Sequence, residues 1–538
     1  MEIFNGCPWI RSIPHLILRE GNVVPFSDLY NSEILSIIFM PRRVNEKLME
    51  SVAQSLENMR QSRIVIATPA LESGQEFREE ILKLCEKYKM TNVLLSHLGA
   101  ADNHDFILQP YPKYKWAQVS LETPGGIFYP PNWRNMHNKT LLTQPDDSLP
   151  NSLVFHDDHG QVQVSGFVAN LVFFFAEYFN AHLQMYRPLE VDAPVHFTEI
   201  TQMVKAELLD IPMTLDAGGR GNWWHITKFV LLNKVAIMVP LSSQLNVDEV
   251  FHLLLDRRFF AIIYTASLIF STILSLIEWI FNKIPWNWNF LMSDEVYPGV
   301  LGQAFKERLN PIVGQRLIYF CIALIGLILS TEFSAKVNSY FTSAPYHRQL
   351  ERLEDLVDSP IKILLHPADA LIMGQWLKKW HHIAVIAQNS TDFQVNRHNF
   401  NTSYGYVVQT PLWDIYDHRQ KYFRRNVFHI PPAMDLHELM VWGIPLPRNS
   451  PYREALNAII HLVHERGLMT AWIAFTYKHM VQLKLVPLKD PNTEEPLHAL
   501  GVEDLHWAWL LNVIGWFMSG GIFCIELLVE RLKKMGKK

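Results

Sequence analysis

Apolar residues in the first hundred positions alternate between two spacings. In 32–40 (SEILSIIFM), 62–70 (SRIVIATPA) and 91–98 (TNVLLSHL) they run almost unbroken, as in strands covered on both faces. Between these runs they recur every three or four positions. Leu48, Met49, Val52, Leu56 and Met59 share one helical face, and Phe77, Ile81, Leu84, Cys85 and Tyr88 share another. Strand, helix, strand, helix, strand predicts a small parallel α/β layer.

The pattern changes in three places. Residues 259–281 (FFAIIYTASLIFSTILSLIEWIF) and 507–529 (WAWLLNVIGWFMSGGIFCIELLV) are bilayer-length apolar runs, and 317–330 reaches that length if its flanks join it. Between 259–281 and 317–330 lies 282–316, apolar in patches but broken by Pro, Gly and charge, so it does not cross as a helix. It reads either as a re-entrant loop lining an aqueous cavity or as a cytoplasmic linker with an interfacial tryptophan cluster. The basic tail RLKKMGKK, 531–538, predicts a cytoplasmic C-terminus. Three crossings then put residues before 258 outside, and two return 343–504 to the same side.

The two flanking segments again mix strands and helices. In 152–165 the cluster His156, Asp157, Asp158, His159 and Gly160 sits between two strand-like runs, which favours a hairpin turn over a metal site. Ser165 is placed to cap a helix burying Phe167, Leu171, Phe174, Phe175 and Tyr178. Further on, Ser450 as cap, Pro451 in the first turn and Gly467 just past the end bracket a helix. Its apolar face is Leu456, Ile459, Ile460 and Val463. Two α/β halves separated by a membrane pair predict one periplasmic-binding-protein-like clamshell split in sequence, with a ligand in the crevice.

Composition narrows the class. The chain has 538 residues, 49% of them hydrophobic, which excludes disorder, and a net charge of −5 gives nucleic-acid binding no support. Four cysteines do not make a disulfide framework; Cys7 and Cys85 remain a possible pair, and Cys321 and Cys524 lie in apolar runs. No metal-type spacing occurs, so no cofactor or metal is expected. No nucleophile–base pair or phosphate loop points to an enzyme. The opening MEIFNGCPWIRSIPHLIL is a poor signal peptide, broken by Pro8, Arg11 and Pro14, and an upstream start or a truncated gene model is expected. Sequons begin at Asn138, Asn389 and Asn401, all in segments assigned outside.

Three stretches carry a family resemblance. Residues 442–469 (WGIPLPRNSPYREALNAIIHLVHERGLM) resemble the last part of the ligand-binding domain of ionotropic glutamate receptors. Residues 332–356 (EFSAKVNSYFTSAPYHRQLERLEDL) are similar to the family's gate helix and following linker, and LLNVIGWFMSGGIFCIELLVERL to its final span. With the order of parts, the resemblance covers about 152–532. Its departures resemble the divergent chemosensory receptors of insects: no hydroxyl-rich turn follows IKILL, and Gln409 stands where the family's amine-binding acid would be. The resemblance implies ligand contacts at Pro212, Thr214, Arg220 and Gln409, with His366, Asp369, Trp223 and Trp224 as further candidates. An exposed arginine in a Gly-rich loop is the alternative reading of Arg220.

It also implies Gln303 near the apex of a pore loop and a gate at Ser334, Asn338 and Thr342. The expected division is an N-terminal α/β region at 1–150, binding halves at 151–257 and 343–504, spans at 258–282, 313–342 and 505–530, a pore loop at 283–312 and a tail at 531–538. The function implied is a ligand-gated cation channel subunit acting in smell or taste, in a heterotetramer with co-receptor subunits at the plasma membrane of sensory dendrites, gated by a small molecule. Two other readings stay open: a non-conducting or decoy subunit, and a membrane-anchored solute-binding protein.

Overall fold

The computed structural model describes residues 13–69, 74–98, 105–119, 128–191, 195–217, 225–283, 291, 293–307, 311–343, 345–486, 490–491 and 506–535. The chain forms two compact units. One comprises Met1–Val239 and Arg352–Pro491; the other comprises Pro240–Glu351 and Asn492–Lys538.

The first unit begins with a five-stranded sheet. Strands β1 (Leu35–Phe39), β2 (Arg63–Pro69) and β3 (Val93–Leu98) are parallel, joined through helices α1 (Glu46–Ser55) and α2 (Gln75–Lys87). Two antiparallel strands, β4 (Asp105–Gln109) and β5 (Lys115–Val119), extend it beyond the expected three. Met49, Leu56, Ile64, Ile66, Ile81 and Leu95 form its core. Asn45 accepts the Leu48 amide at 3.1 Å and so starts α1. Cys85 is a free thiol in this core, where burial pushes its pKa up to about 12.

Beyond it, β6 (Lys139–Thr143) pairs in parallel with β9 (Ala181–Met185). Strands β7 (Leu153–His156) and β8 (Val162–Ser165) form the hairpin predicted around HDDHG. The Asp157 carboxylate accepts the amides of His159 and Gln161, and Gly160 takes φ 76°. Helix α3 (Phe167–Tyr178) follows, but Ser165 does not cap it. The strand runs through Ser165, whose hydroxyl bonds His479 Nδ1 at 2.8 Å, and Gly166 takes the cap position at φ 123°. Phe167, Leu171 and Phe175 are buried, whereas Tyr178 is 54% exposed.

Helix α4 (Phe197–Lys205) and strand β10 (Leu231–Pro240) complete the stretch before the second unit. On re-entry the chain gives β11 (Lys362–Leu365), α5 (Pro367–Ile372), β12 (Ala384–Ile386), α6 (Ser390–His398), β13 (Tyr404–Gln409), α7 (Thr410–Gln420), β14 (Phe428–His429) and β15 (Asp435–Trp442). The sheet runs β12-β11-β13-β10-β14, and β15 also pairs with β10. Helices α8 (Arg453–Glu465) and α9 (Leu468–Gln482) close the unit. Helix α8 starts later than expected: Tyr452 is its cap, and Ser450 Oγ accepts the Tyr452 amide at 3.4 Å. Gly467, at φ 67°, ends it as the sequence predicts.

Two cores result. One gathers Phe167, Leu171, Phe175, Met213, Trp442 and Ile459. The other gathers Leu149, Met238, Leu364, Tyr406, Tyr416 and Phe428. Each draws on chain from both sides of the second unit.

The second unit holds three helices long and apolar enough to cross a membrane, spanning Val247–Phe281, Val313–Thr342 and Trp509–Leu532. The flanks of 317–330 do join it, giving the single helix α11 (Val313–Thr342), after α10 (Val296–Val300). Gly299 and Gly326 let α10 and α11 meet closely, since a Cβ on Gly326 would overlap the Gly299 carbonyl. Val296 and Val300 pack with Ile263, Leu274, Tyr319 and Ile322. The last helix is α12 (His506–Met535).

Gly166 gives the sharpest test of this architecture. Its φ 123° and ψ 153° lie in a region essentially reserved for glycine, and a Cβ would overlap the Asn151 carbonyl. Gly166→Ala should cost about 3 kcal/mol or more. Gly160→Ala, with positive φ but open space, should cost only about 1 kcal/mol. Thermal unfolding of both full-length variants in detergent checks the ranking, and equal losses would contradict it.

Candidate functional site

The segment Gln144–Ser152 leads from β6 towards β7 and carries two consecutive acids with different surroundings. Asp146 is 1% exposed and fully engaged. Ser152 Oγ donates to its Oδ1 at 2.6 Å, Thr214 Oγ1 donates to its Oδ2 at 2.5 Å, and the Ser148 amide donates at 3.2 Å. Burial pushes Asp146 up to about 6 against the pull of these bonds. Asp147 instead lines a cleft of about 250 Å³. Its side chain is 7% exposed, and no hydrogen bond among the described residues reaches its carboxylate. Burial, with the charges of Asp146 and Asp369, pushes it up to about 7, although His196 and Arg397 pull the other way.

Two histidines stand across from it, each capping a helix. His196 precedes α4, with Nδ1 2.8 Å from Thr198 Oγ1 and 3.4 Å from the Thr198 amide. His366 precedes α5, and its Nδ1 accepts the Ala368 amide at 3.2 Å. The Nε2 atoms have separate partners. That of His196 lies 3.5 Å from Asp369 Oδ1, and that of His366 lies 2.9 Å from Ser390 Oγ and 4.0 Å from Asp147 Oδ2. The rings stack 4.6 Å apart and 9° from parallel. Burial works against the charged form of both. It prevails at His366, which is lowered, while the Asp369 contact and Asp147 outweigh it at His196, which is raised.

The rest of the cleft is mixed. The Arg397 guanidinium lies 4.7 Å from the Phe393 ring centre, and Trp442, Met440 and Leu412 supply apolar wall. Gln409 lines the cleft at the end of β13, its Oε1 3.3 Å from Asn233 Nδ2. The mixture of charged, polar and apolar lining suits recognition of a small polar ligand.

The residues suggested by sequence therefore part company. Gln409, His366 and Asp369 line the cleft together. Pro212 and Thr214 are buried beside it, and the Thr214 hydroxyl is committed to Asp146. Arg220, Trp223 and Trp224 lie outside the described residues. No family model matches the chain, and no curated protein matches it. Asp147, His196 and Arg397 were not anticipated from sequence; the one local signal was a histidine placed just before each helix start.

In the second unit, Gln303 is exposed and follows Gly302 (φ 73°), its amide donating to the Pro298 carbonyl at 2.9 Å. Ser334, Asn338 and Thr342 are all exposed on α11, and Lys336 pairs with Glu332 at 2.7 Å. Of the sequons, Asn138 and Asn389 are exposed. Asn401 is half-buried, with its amide donating to Asn396 Oδ1 at 2.8 Å.

Asp147 yields a pH-dependent prediction. Because its folded pKa is raised, the favourable protonated form is fully present below about 4 and is lost as pH rises through about 7. Asp147→Asn should therefore raise the unfolding free energy more at pH 8, by at most about 4 kcal/mol, than at pH 5. Equal gains at both pH values would show that this carboxylate is not strained by burial.

Proposed function

We propose that the chain is a ligand-binding subunit of a ligand-gated cation channel, of the divergent chemosensory ionotropic receptor type. The observation that carries the reading is the split first unit. Strand β10 precedes two apolar helices, β13 and β15 follow them, and all three share one sheet. A unit folded from both sides of a membrane pair stays on one side of the bilayer, as two crossings require. The basic C-terminal tail argues that this side is the outer one.

In this reading the two cores are the halves of a clamshell, and the cleft that residues of both line is the ligand site. The short helix α10, packed on the helices before and after it, is the start of a re-entrant pore loop, with Gln303 just beyond it. Closure around a ligand pulls on the linker after Thr342 and parts the polar stripe Ser334–Asn338–Thr342. The work available equals the ligand's difference in affinity between open and closed forms. A neutral amide at Gln303 suits cation passage. Partner subunits complete a heterotetramer in the plasma membrane of a sensory dendrite, and the exposed apolar sides of α12 face lipid or neighbours.

One observation favours a second reading, a non-conducting binding or decoy subunit. Lys336 sits among the expected gate residues, tied to Glu332, where small apolar residues would pack better. Co-expression with a co-receptor subunit separates the two. The channel reading expects ligand-evoked cation currents whose ion selectivity changes in Gln303→Arg at equal surface expression. Selectivity and conductance identical to wild type in that variant would exclude a pore role and leave the binding-subunit reading.

A further inference from the structure

The two cap histidines and two carboxylates converge on the cleft, where His366 Nε2 meets Ser390 Oγ at 2.9 Å and His196 Nε2 meets Asp369 Oδ1 at 3.5 Å. One ligand atom from each of His196, His366 and Asp369 lies within 4.8 Å of the other two, and Asp147 Oδ2 is 4.0 Å from His366 Nε2. Nδ1 of each ring is bound to its own helix start, which fixes the ring's position; an ion at Nε2 would take the place of the Ser390 hydroxyl on His366. The Asp147 carboxylate, nine-tenths buried, has no hydrogen-bond donor among the described residues.

From this geometry we propose that the cleft binds a divalent transition-metal ion, zinc above all, through Nε2 of His196 and His366 and the carboxylate of Asp369, with Asp147 as fourth ligand. Two imidazoles with carboxylates select zinc, copper or nickel over calcium and magnesium, which take all-oxygen sites. Zinc bonds of about 2.0–2.1 Å put tetrahedral donors about 3.4 Å apart, so the group contracts by roughly an ångström. The nearly parallel rings turn about their Cβ–Cγ bonds so that both lone pairs meet the ion. With Nε2 on the ion, His196 Nδ1–H donates to Thr198 Oγ1 as the outer partner that a metal-bound imidazole needs, and the 3.4 Å bond from the Thr198 amide is given up. His366 gives up two bonds, the Ala368 amide on Nδ1 at 3.2 Å and the Ser390 hydroxyl on Nε2 at 2.9 Å.

The ligands come from both sides of the membrane pair: His196 and Asp147 before it, His366 and Asp369 after it. A bound ion therefore cross-links the two parts of the unit. Binding itself is independent of the receptor reading; only the consequence, that zinc holds the cleft shut and alters gating, rests on it.

The test uses the full-length protein in detergent. Co²⁺ should give the visible absorption of a low-symmetry nitrogen–oxygen site, and Zn²⁺ should displace it and raise the unfolding midpoint. His196→Asn and His366→Asn each keep a side-chain acceptor for the helix cap. Each should leave the metal-free midpoint near that of wild type, weaken Zn²⁺ at least tenfold, and together abolish the Co²⁺ spectrum. Asp369→Asn should weaken binding as well. No Co²⁺ band, or a Zn²⁺ affinity unchanged in the double variant, overturns the proposal. Neither result touches the channel reading, which fails separately if zinc binds but no ligand evokes current.

Discussion

The part of the first unit built from both sides of the inserted helices depends on the pairing of β10. Val235–Met238 lie antiparallel to Tyr406–Gln409, and Leu231–Ala236 run against Asp435–Trp442. Without these ladders the chain before Pro240 and the chain after Glu351 would share no sheet. Both cores would lose members, since Met238 belongs to one and Trp442 to the other. Side chains lock the junction: the Thr410 hydroxyl accepts the Lys234 amide at 3.0 Å, and Asn233 Oδ1 accepts the Thr410 amide at 3.0 Å. Gly405 lets β13 approach, because a Cβ there would sit 3.2 Å from the Met238 carbonyl. The long insertion between these segments is affordable because loop-closure entropy grows only with the logarithm of length.

The cleft inherits its chemistry from that junction. It contains Val235 of β10, Gln409 of β13 and Trp442 of β15, so any movement of the sheet's partners is felt there. Asp146 and Asp147 show how local geometry divides two adjacent carboxylates. The first is anchored by three donors and holds the loop in place. The second, facing the cleft, is charged only at a cost that a cation or a proton relieves. An anchored residue beside an unsatisfied one is a common arrangement where a fold carries a binding site.

Much of the fold was legible in the sequence because it is written in local periods. The three parallel strands, both flanking helices, the HDDHG hairpin and the long apolar helices all follow from spacing. Strands β4 and β5 were not legible, since their pairing depends on a neighbour rather than on their own pattern. Ser165 misled for a similar reason: a serine before a helix is a fair cap, but Gly166 alone tolerates the backbone that the turn requires. The site was harder still. Gln409, His366 and Asp369 were named in advance, yet Thr214 turned out to face Asp146, and His196 and Asp147 were invisible. What makes them matter is contact with residues beyond the inserted helices, and no window of sequence contains that.

The long helix α11 shows how one element can carry two incompatible surfaces by separating them along its length. Its middle, through Tyr319, Ile322 and Gly326, is packed against α10 so closely that no side chain fits at Gly326. Its last turns expose Ser334, Asn338 and Thr342 on one side. A lipid-facing helix would lose free energy by displaying those polar groups, because each is left without a partner in hydrocarbon. A helix that lined water, or met identical helices along that stripe, would not. One continuous backbone joins the polar end to the packed middle, and a sharp kink in such a helix needs a proline, a π-bulge or an inserted group. No proline interrupts it between Val313 and Thr342.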